Sequence, residues 1–259
     1  MYKIRTYNAI SSKGLSRFPT DSYEVSSEST DADGILLRSQ KLHNEVLPES
    51  VVAIARAGAG TNNIPVAEYT ERGVVVFNTP GANANAVKEL IVAALLMGSR
   101  DIYGGMNYVQ GLTEITDSGE MGKLLEKEKK NFAGGEIKGK TLGVVGLGAI
   151  GSMIGNLALE LGMNVVGYDP AISVEAAWQL SSDVERMENL EALLACSDFI
   201  TLHVPAIAAT KHLINSKTLS GMKSTAKILN FAREEIVSSA DMVAALDAGV
   251  IAGYITDFP

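Results

Sequence analysis

Gly146, Gly148, Gly151 and Asp169 have the residue types and spacing to hold the diphosphate and ribose of a dinucleotide. The chain reads Thr141-Leu-Gly-Val-Val, then Gly146-Leu147-Gly148-Ala149-Ile150-Gly151, then an apolar run to Leu161. Gly146 permits a tight turn, Gly148 lets backbone amides approach a pyrophosphate, and Gly151 lets the next helix pack closely on the strand. The helix start, at Ala149 and Ile150, offers unpaired N–H groups and the positive end of a dipole. The following strand delivers Asp169 roughly 20 residues beyond the turn, where a carboxylate can accept both hydrogen bonds of an adenosine ribose diol. That carboxylate repels a 2′-phosphate, and Pro170-Ala171-Ile172 supplies no cation to neutralise one, so NAD is favoured over NADP. Taken singly, each residue also reads as a plain structural turn or an ordinary loop carboxylate.

Four further positions carry candidate chemistry. Arg233 follows a strand end in Asn230-Phe231-Ala232-Arg233, and its guanidinium could clamp a carboxylate and polarise the adjacent carbonyl or hydroxyl; a surface loop arginine is the alternative. Arg56-Ala57-Gly58-Ala59-Gly60 is a second glycine-rich strand end, either an anion-binding nest of amides or a simple turn. Arg38-Ser39 follows another strand. His203, before Val204 and Pro205, invites a role as proton carrier, but a histidine so placed reads better as a brace for its loop. His43 and His212 read as exposed, and no clustered His/Cys pattern indicates a metal.

These positions need strands and helices to place them. In the carboxy-terminal half, strand-like runs at 141–147, 164–169, 198–204, 226–232 and 251–258 alternate with helix-like runs at 149–161, 188–196, 214–222 and 239–249. Such crossovers demand a parallel sheet covered on both faces. The amino-terminal part repeats the pattern with strands at 34–38, 51–57 and 73–78 and a helix at 66–72. The helix expected at 85–100 is apolar on nearly every face from Leu90 to Met97, which predicts burial on several sides, as between two domains. Residues 104–140 turn polar and read as a solvated helix or arm.

At 259 residues the chain can hold two modest domains. A net charge of −8 argues against nucleic acid or an anionic membrane as the main partner, and leaves any anionic substrate in need of a local positive cluster. The single cysteine, Cys196, excludes an internal disulfide, fits a reducing cytoplasm and reads as a small buried apolar group. No signal-like or membrane-spanning apolar run is present.

Segments 36–39, 56–64, 76–86, 146–151, 167–170, 201–205, 230–233 and 252–258 together resemble the D-isomer-specific 2-hydroxyacid dehydrogenases, and among them the short bacterial enzymes that oxidise 3-phosphoglycerate to 3-phosphohydroxypyruvate in serine biosynthesis. The resemblance implies an α/β fold: a Rossmann-type doubly wound parallel sheet at 101–259, and a smaller, incomplete flavodoxin-like α/β substrate domain at 1–100. It implies NAD as cofactor, held by Gly146, Gly148, Ala149, Ile150, Gly151 and Asp169, with His203, Val204, Pro205, Phe231 and Asp257 beside it. Arg233 matches the catalytic arginine, Gly58, Ala59 and Gly60 match the loop that holds the substrate carboxylate, and Arg38 with Ser39 match a basic position on the substrate side. The implied reaction moves a hydride from C2 of a D-2-hydroxy acid to the nicotinamide while a base takes the hydroxyl proton. Glycerate and lactate are alternative substrates, and the implied assembly is a cytoplasmic homodimer joined through the NAD domains.

Two departures qualify that expectation. The resemblance places the base, a histidine paired with a glutamate, beyond the Asp257 motif, and neither falls within these 259 residues. The expectation is a truncated chain that binds NAD and turns over poorly, and a noncatalytic NAD-binding or dimerisation module is the alternative. Glu234 stands where the pattern has glycine, which predicts backbone strain and an unfavourable carboxylate beside Arg233.

Overall fold

Short strands joined by crossovers can pair only in parallel, and every strand pairing in this protein is parallel. The structure is a computed structural model that describes residues 1–258. The chain divides into two units, Met1–Asn83 and Ala84–Pro259.

The first unit runs β1 (Tyr2–Thr6), α1 (Ser12–Leu15), β2 (Tyr23–Ser26), β3 (Gly34–Leu37), β4 (Ala53–Arg56), α2 (Val66–Glu71) and β5 (Val75–Phe77). Its sheet order is β2-β1-β3-β4-β5, the flavodoxin-like order, which reverses direction between β1 and β3. Ile35, Leu37, Ile54 and Tyr69 form its core with Leu42, Leu47 and Val74. The buried Tyr69 hydroxyl donates to the Leu42 carbonyl at 3.1 Å, which satisfies its polar end. Strands β1 and β2 escape sequence reading because neither contains a fully buried residue, so no apolar run marks them.

The second unit begins with α3 (Ala84–Ser99), α4 (Ile102–Gln110) and α5 (Ser118–Glu128). It continues through β6 (Thr141–Val145), α6 (Ala149–Glu160), β7 (Asn164–Tyr168), α7 (Val174–Gln179), β8 (Glu185–Arg186) and α8 (Leu190–Cys196). Then follow β9 (Phe199–Leu202), α9 (Ser216–Ser220), β10 (Lys227–Asn230), α10 (Ser239–Asp247) and β11 (Gly253–Thr256). The order β8-β7-β6-β9-β10-β11 is that of a Rossmann sheet. Successive strand residues point to opposite faces, and each face has its own core. Val145, Val166, Ile200 and Ile228 enter one cluster with Leu193 and Ile214. Val144, Val165, Phe199 and Leu229 enter the other with Ile91, Leu95 and Ile154. Two covered faces explain why these strands read as continuous apolar runs.

Helix α3 departs from expectation in two ways. It packs on α6 and on β10 and β11, so the boundary falls after Asn83 and the helix belongs to the second unit. Only Ala84, Ile91, Ala94 and Leu95 are buried in it, whereas Leu90, Leu96 and Met97 are exposed. One neighbouring layer covers one stripe, so an all-round apolar sequence leaves the far side open. Helices α4 and α5 bury no residue and start on Asp101 and Asp117, whose carboxylates accept from Gly104 and Glu120 N–H at 2.8 Å. Among the described residues no helix is long and apolar enough to cross a membrane, and no cluster of acidic, His and Cys residues could hold a metal.

Asp198 fastens the start of this sheet. Its carboxylate accepts from Thr141 N–H at 2.8 Å and from the Lys223 ammonium at 2.9 Å, and its carbonyl accepts from Lys227 N–H. Burial alone would raise its pKa, but the bonds from Lys223 and Thr141 outweigh that and hold it below the usual aspartate value. A depressed folded pKa gives stability that is present at neutral pH and lost as pH falls below the unfolded value. Asp198→Ala is therefore expected to cost about 1–3 kcal/mol at pH 7 and progressively less below about pH 4, read from urea unfolding across pH.

Candidate functional site

Parallel strands all end on one rim, and ligands bind there where the strand order reverses. In the second unit the reversal lies between β6 and β9. Gly146 leaves β6 with φ +91°, and a Cβ there would lie 2.7 Å from the His203 carbonyl oxygen. At Gly151 a Cβ would lie 1.9 Å from the Gly146 carbonyl oxygen, so only glycine lets α6 start this close to β6. Gly148 is different, because the space around it is open within 4 Å. It stands at the N-cap of α6 with no side chain capping the helix. The amides of Ala149, Ile150 and Gly151 have no acceptor inside the helix, which suits an anion.

Asp169 closes the same corner. Its Oδ2 accepts from Leu147 N–H at 2.8 Å and its Oδ1 from Ala171 N–H at 2.9 Å. The glycine turn and the acid are thus one hydrogen-bonded unit, and each carboxylate oxygen keeps a lone pair for a further donor. A diphosphate cradle next to a fixed carboxylate fits the two ends of an ADP-ribosyl group, and the carboxylate opposes a 2′-phosphate. The residues present therefore fit NAD.

His203 N–H donates to the Val145 carbonyl at 2.7 Å, and its Nε2 is 2.9 Å from the Oγ1 of the fully buried Thr201. Burial pushes the imidazole pKa down to about 3, so the ring is neutral and held in place at physiological pH. That geometry favours the bracing role over proton transfer. The Val204 side chain lies beside Gly146, and Pro205 accepts from Thr210 Oγ1.

Phe231 and Arg233 follow β10, and Asp257 follows β11 on the same rim, its N–H reaching the Asn230 carbonyl at 3.3 Å. Asn230, fully buried, organises the loop: its Nδ2 donates to the Arg233 carbonyl at 2.9 Å and its Oδ1 accepts from Ala232 N–H at 3.2 Å. The half-buried Arg233 side chain donates to the Ala232 carbonyl at 2.6 Å. The strain expected at Glu234 is absent. Among the described residues only Asn8 and His212 combine a side chain with positive φ. Glu234 opens a short 3₁₀ turn, Glu234–Ile236, and its exposed side chain needs no glycine conformation.

In the first unit the reversal lies between β1 and β3, and an open depression of about 620 Å³ sits on that rim. Arg38 and Gly58 line it, together with Thr79, Leu36 and Arg17. Ser39, Ala59 and Gly60 stand on the flanking loops, outside the lining. Asn8 fixes the first loop, with its Oδ1 accepting from the N–H groups of Arg38, Ser39 and Gln40 at 3.3, 2.9 and 2.8 Å. Thr79 fixes the second through its Oγ1 and Gly58 N–H at 2.8 Å. Sequence reading passed over Asn8, Arg17, Thr79 and Asn230. Asn8 and Arg17 follow a strand and a helix too short and polar to be seen, while Asn230 and Thr79 lay inside recognised motifs without a marked role.

The His203 environment sets a pH dependence. Its folded pKa lies below the unfolded value, so the unfolded chain binds the extra proton between about pH 6.5 and 3 and stability falls as pH falls through that window. His203→Gln keeps a partner for Thr201 and cannot titrate. Chemical unfolding is expected to show the wild-type protein losing stability relative to this variant by up to about 1.4 kcal/mol per pH unit there.

Comparison with known proteins agrees with this geometry. A family model described as "D-isomer specific 2-hydroxyacid dehydrogenase, NAD binding domain" matches residues 103–259. The D-3-phosphoglycerate dehydrogenase of Methanocaldococcus jannaschii is 37% identical over 230 residues, covering 88% of this chain and 41% of that protein. The enzyme of that name from Rattus norvegicus is 35% identical over 237 residues, covering 90% and 42%. The chain thus spans about two fifths of the length of the curated relatives it matches. A solved structure of 3-phosphoglycerate dehydrogenase from Entamoeba histolytica with bound NAD+ aligns with a TM-score of 0.77 at 26% identity, over all of this chain and 80% of that one. With a Rossmann sheet, a glycine turn bonded to Asp169, and a family match over most of the chain, the protein belongs to the D-isomer specific 2-hydroxyacid dehydrogenases and carries their NAD-binding domain.

Proposed function

We propose that this chain serves the NAD-dependent oxidation of a D-2-hydroxy acid, with 3-phosphoglycerate as the favoured substrate and serine biosynthesis as its setting. The observation that carries the reading is the joined corner of Gly146, Leu147 and Asp169, where the glycine turn and the carboxylate form one hydrogen-bonded unit. In this reading Gly146, Gly148, Ala149, Ile150 and Gly151 grip the diphosphate and Asp169 the ribose. Val204, Pro205, Phe231 and Asp257 border the cofactor, while His203 braces the loop beneath it. NAD, when bound, supplies the hydride acceptor.

The chain's own residues bind and orient the acid. Arg233 clamps its carboxylate and polarises the oxygen on C2, a task for a planar, permanently charged fork. The Asn230 bonds hold that loop in place beforehand. In the first unit Ala59 and Gly60, on the loop that Gly58 N–H ties to Thr79 Oγ1, are the substrate-side amides, and Arg38 with Ser39 the phosphate-side residues. Loss of the hydroxyl proton needs a base stronger than His203, whose pKa is near 3 and whose Nε2 is engaged by Thr201. The preference for the phosphorylated acid is supported by the relatives' shared name and by the Arg38 guanidinium on the depression.

We also propose that two copies associate through the NAD-binding unit. The support is an exposed apolar set on α3 and α4: Leu90, Met97, Ile102, Tyr103, Met106 and Val109. Light scattering is expected to give twice the chain mass of 27.4 kDa, and Tyr103→Glu with Met106→Glu to return it to the single mass.

The single tryptophan, Trp178, is exposed on α7 in the same unit as Asp169 and gives one emission signal to follow beside calorimetry during an NADH titration. NADH is expected to quench its emission. Asp169→Ala should weaken NADH by roughly ten- to hundredfold, the worth of hydrogen bonds to a charged group, and narrow its advantage over NADPH. Arg233→Gln should leave NADH within about twofold and weaken the hydroxy acid by about tenfold or more. If calorimetry shows no NADH binding to wild-type protein, or Asp169→Ala binds it as tightly, the reading fails.

A further inference from the structure

The depression in the first unit holds a residue that the reading above does not use. Its lining contains two charged side chains, Arg17 and Arg38, and no acid. That is a local inversion in a chain with 30 acidic and 22 basic residues. Neither guanidinium pairs with a carboxylate or donates to a protein acceptor among the described residues, whose ion pairs join Lys3, Lys127, Lys129 and Lys223 to acids elsewhere. The rest of the lining is largely apolar or small, with Ile10, Phe18, Leu36 and Ala57, and both arginines are exposed to solvent.

The backbone under both arginines is tied down, which matters because an anchored stem loses less freedom on engaging a ligand. Around Arg38, Asn8 Oδ1 gathers three successive N–H groups, and the Arg38 carbonyl accepts from Arg56 Nε at 3.0 Å and Asn63 Nδ2 at 3.3 Å. Around Arg17, its own N–H reaches the Gly14 carbonyl at 3.1 Å and Phe18 N–H reaches Leu15 at 3.0 Å. The Phe18 ring stands edge-on to Tyr23 at 5.3 Å, and Tyr23 leans on Tyr2 at 5.8 Å, which fastens this turn to β1 and β2.

Two partnerless arginines on separate, anchored loops suit a dianion with three terminal oxygens better than a single carboxylate. We propose that Arg17 is a specificity-determining residue that joins Arg38 in holding the phosphoryl end of the substrate, and that it thereby separates phosphorylated from unphosphorylated D-2-hydroxy acids. The proposal rests on the dehydrogenase reading and assigns Arg17 no part in the redox step. Because the depression is open, added salt weakens the phosphorylated ligand more than the unphosphorylated one.

Calorimetric titration of the 259-residue protein with D-3-phosphoglycerate, D-glycerate and inorganic phosphate tests it. Arg17→Met is expected to weaken D-3-phosphoglycerate by roughly ten- to hundredfold while D-glycerate stays within about twofold, and Arg17→Lys to fall between. Arg17 is exposed, so the melting temperature of the variants should match wild type. Equal effects on both acids, or none on either, overturn the proposal. So does inorganic phosphate binding through Arg17 when neither acid binds, since the site is then not a substrate site. NADH binding, measured by calorimetry on the same samples, separates the two levels. Intact NADH binding and D-glycerate binding with an indifferent Arg17 sink only the clamp, whereas loss of NADH binding from wild-type protein sinks the dehydrogenase reading.

Discussion

The turn from β6 into α6 closes only because residue 151 has no Cβ, which would stand 1.9 Å from the Gly146 carbonyl oxygen. The rest of the carboxy-terminal unit depends on that approach. It sets α6 against the sheet, so that Ile154 and Ala158 share a core with Val144 and Val165. It also brings the first amides of α6 to the rim with no side chain over them. Packing and the presentation of these amides are therefore one event. A larger residue at 151 would open the core and misdirect the amides together.

Asp169 extends this economy by one bond. A partly buried carboxylate ordinarily costs stability, but the oxygens of Asp169 close the glycine turn through Leu147 N–H and meet the next loop at Ala171 N–H. The same logic appears in the first unit, where Asn8 accepts from three consecutive amides and so fixes the loop that displays Arg38. In both units the polar group fixes the loop that leaves a strand bordering the topological reversal, β6 in the second unit and β3 in the first. That is where neighbouring loops diverge and leave room for a ligand.

The charge balance follows from this placement. A chain of net charge −8 can still bind an anion if cations share one patch and its acids lie elsewhere. Arg17 and Arg38 on the first unit's depression, whose lining holds no acid, meet that condition. The Glu234 carboxylate next to Arg233 points to solvent, where water screens it.

Most of the second unit was legible in the sequence, because strands covered on both faces are written as apolar runs and glycine spacing marks the turn between them. Strands β6, β7, β9, β10 and β11 all fall within the expected segments, as does the glycine corner with Asp169. The first unit was half legible, since β1 and β2 bury no residue fully and carry no periodic signal. The exposed side of α3 could not be read, because an apolar sequence states what a helix tolerates and not how many neighbours it meets. Nor could the backbone at Glu234, which the surrounding bonds of Asn230 place in an ordinary conformation. Local chemistry, meaning residue type and short spacing, determined the fold class and the dinucleotide corner. Only the tertiary structure decided which loops share a rim, that His203 is too buried to titrate near neutrality, and that Arg17 and Arg38 line one depression, because those facts depend on contacts between segments far apart in the chain.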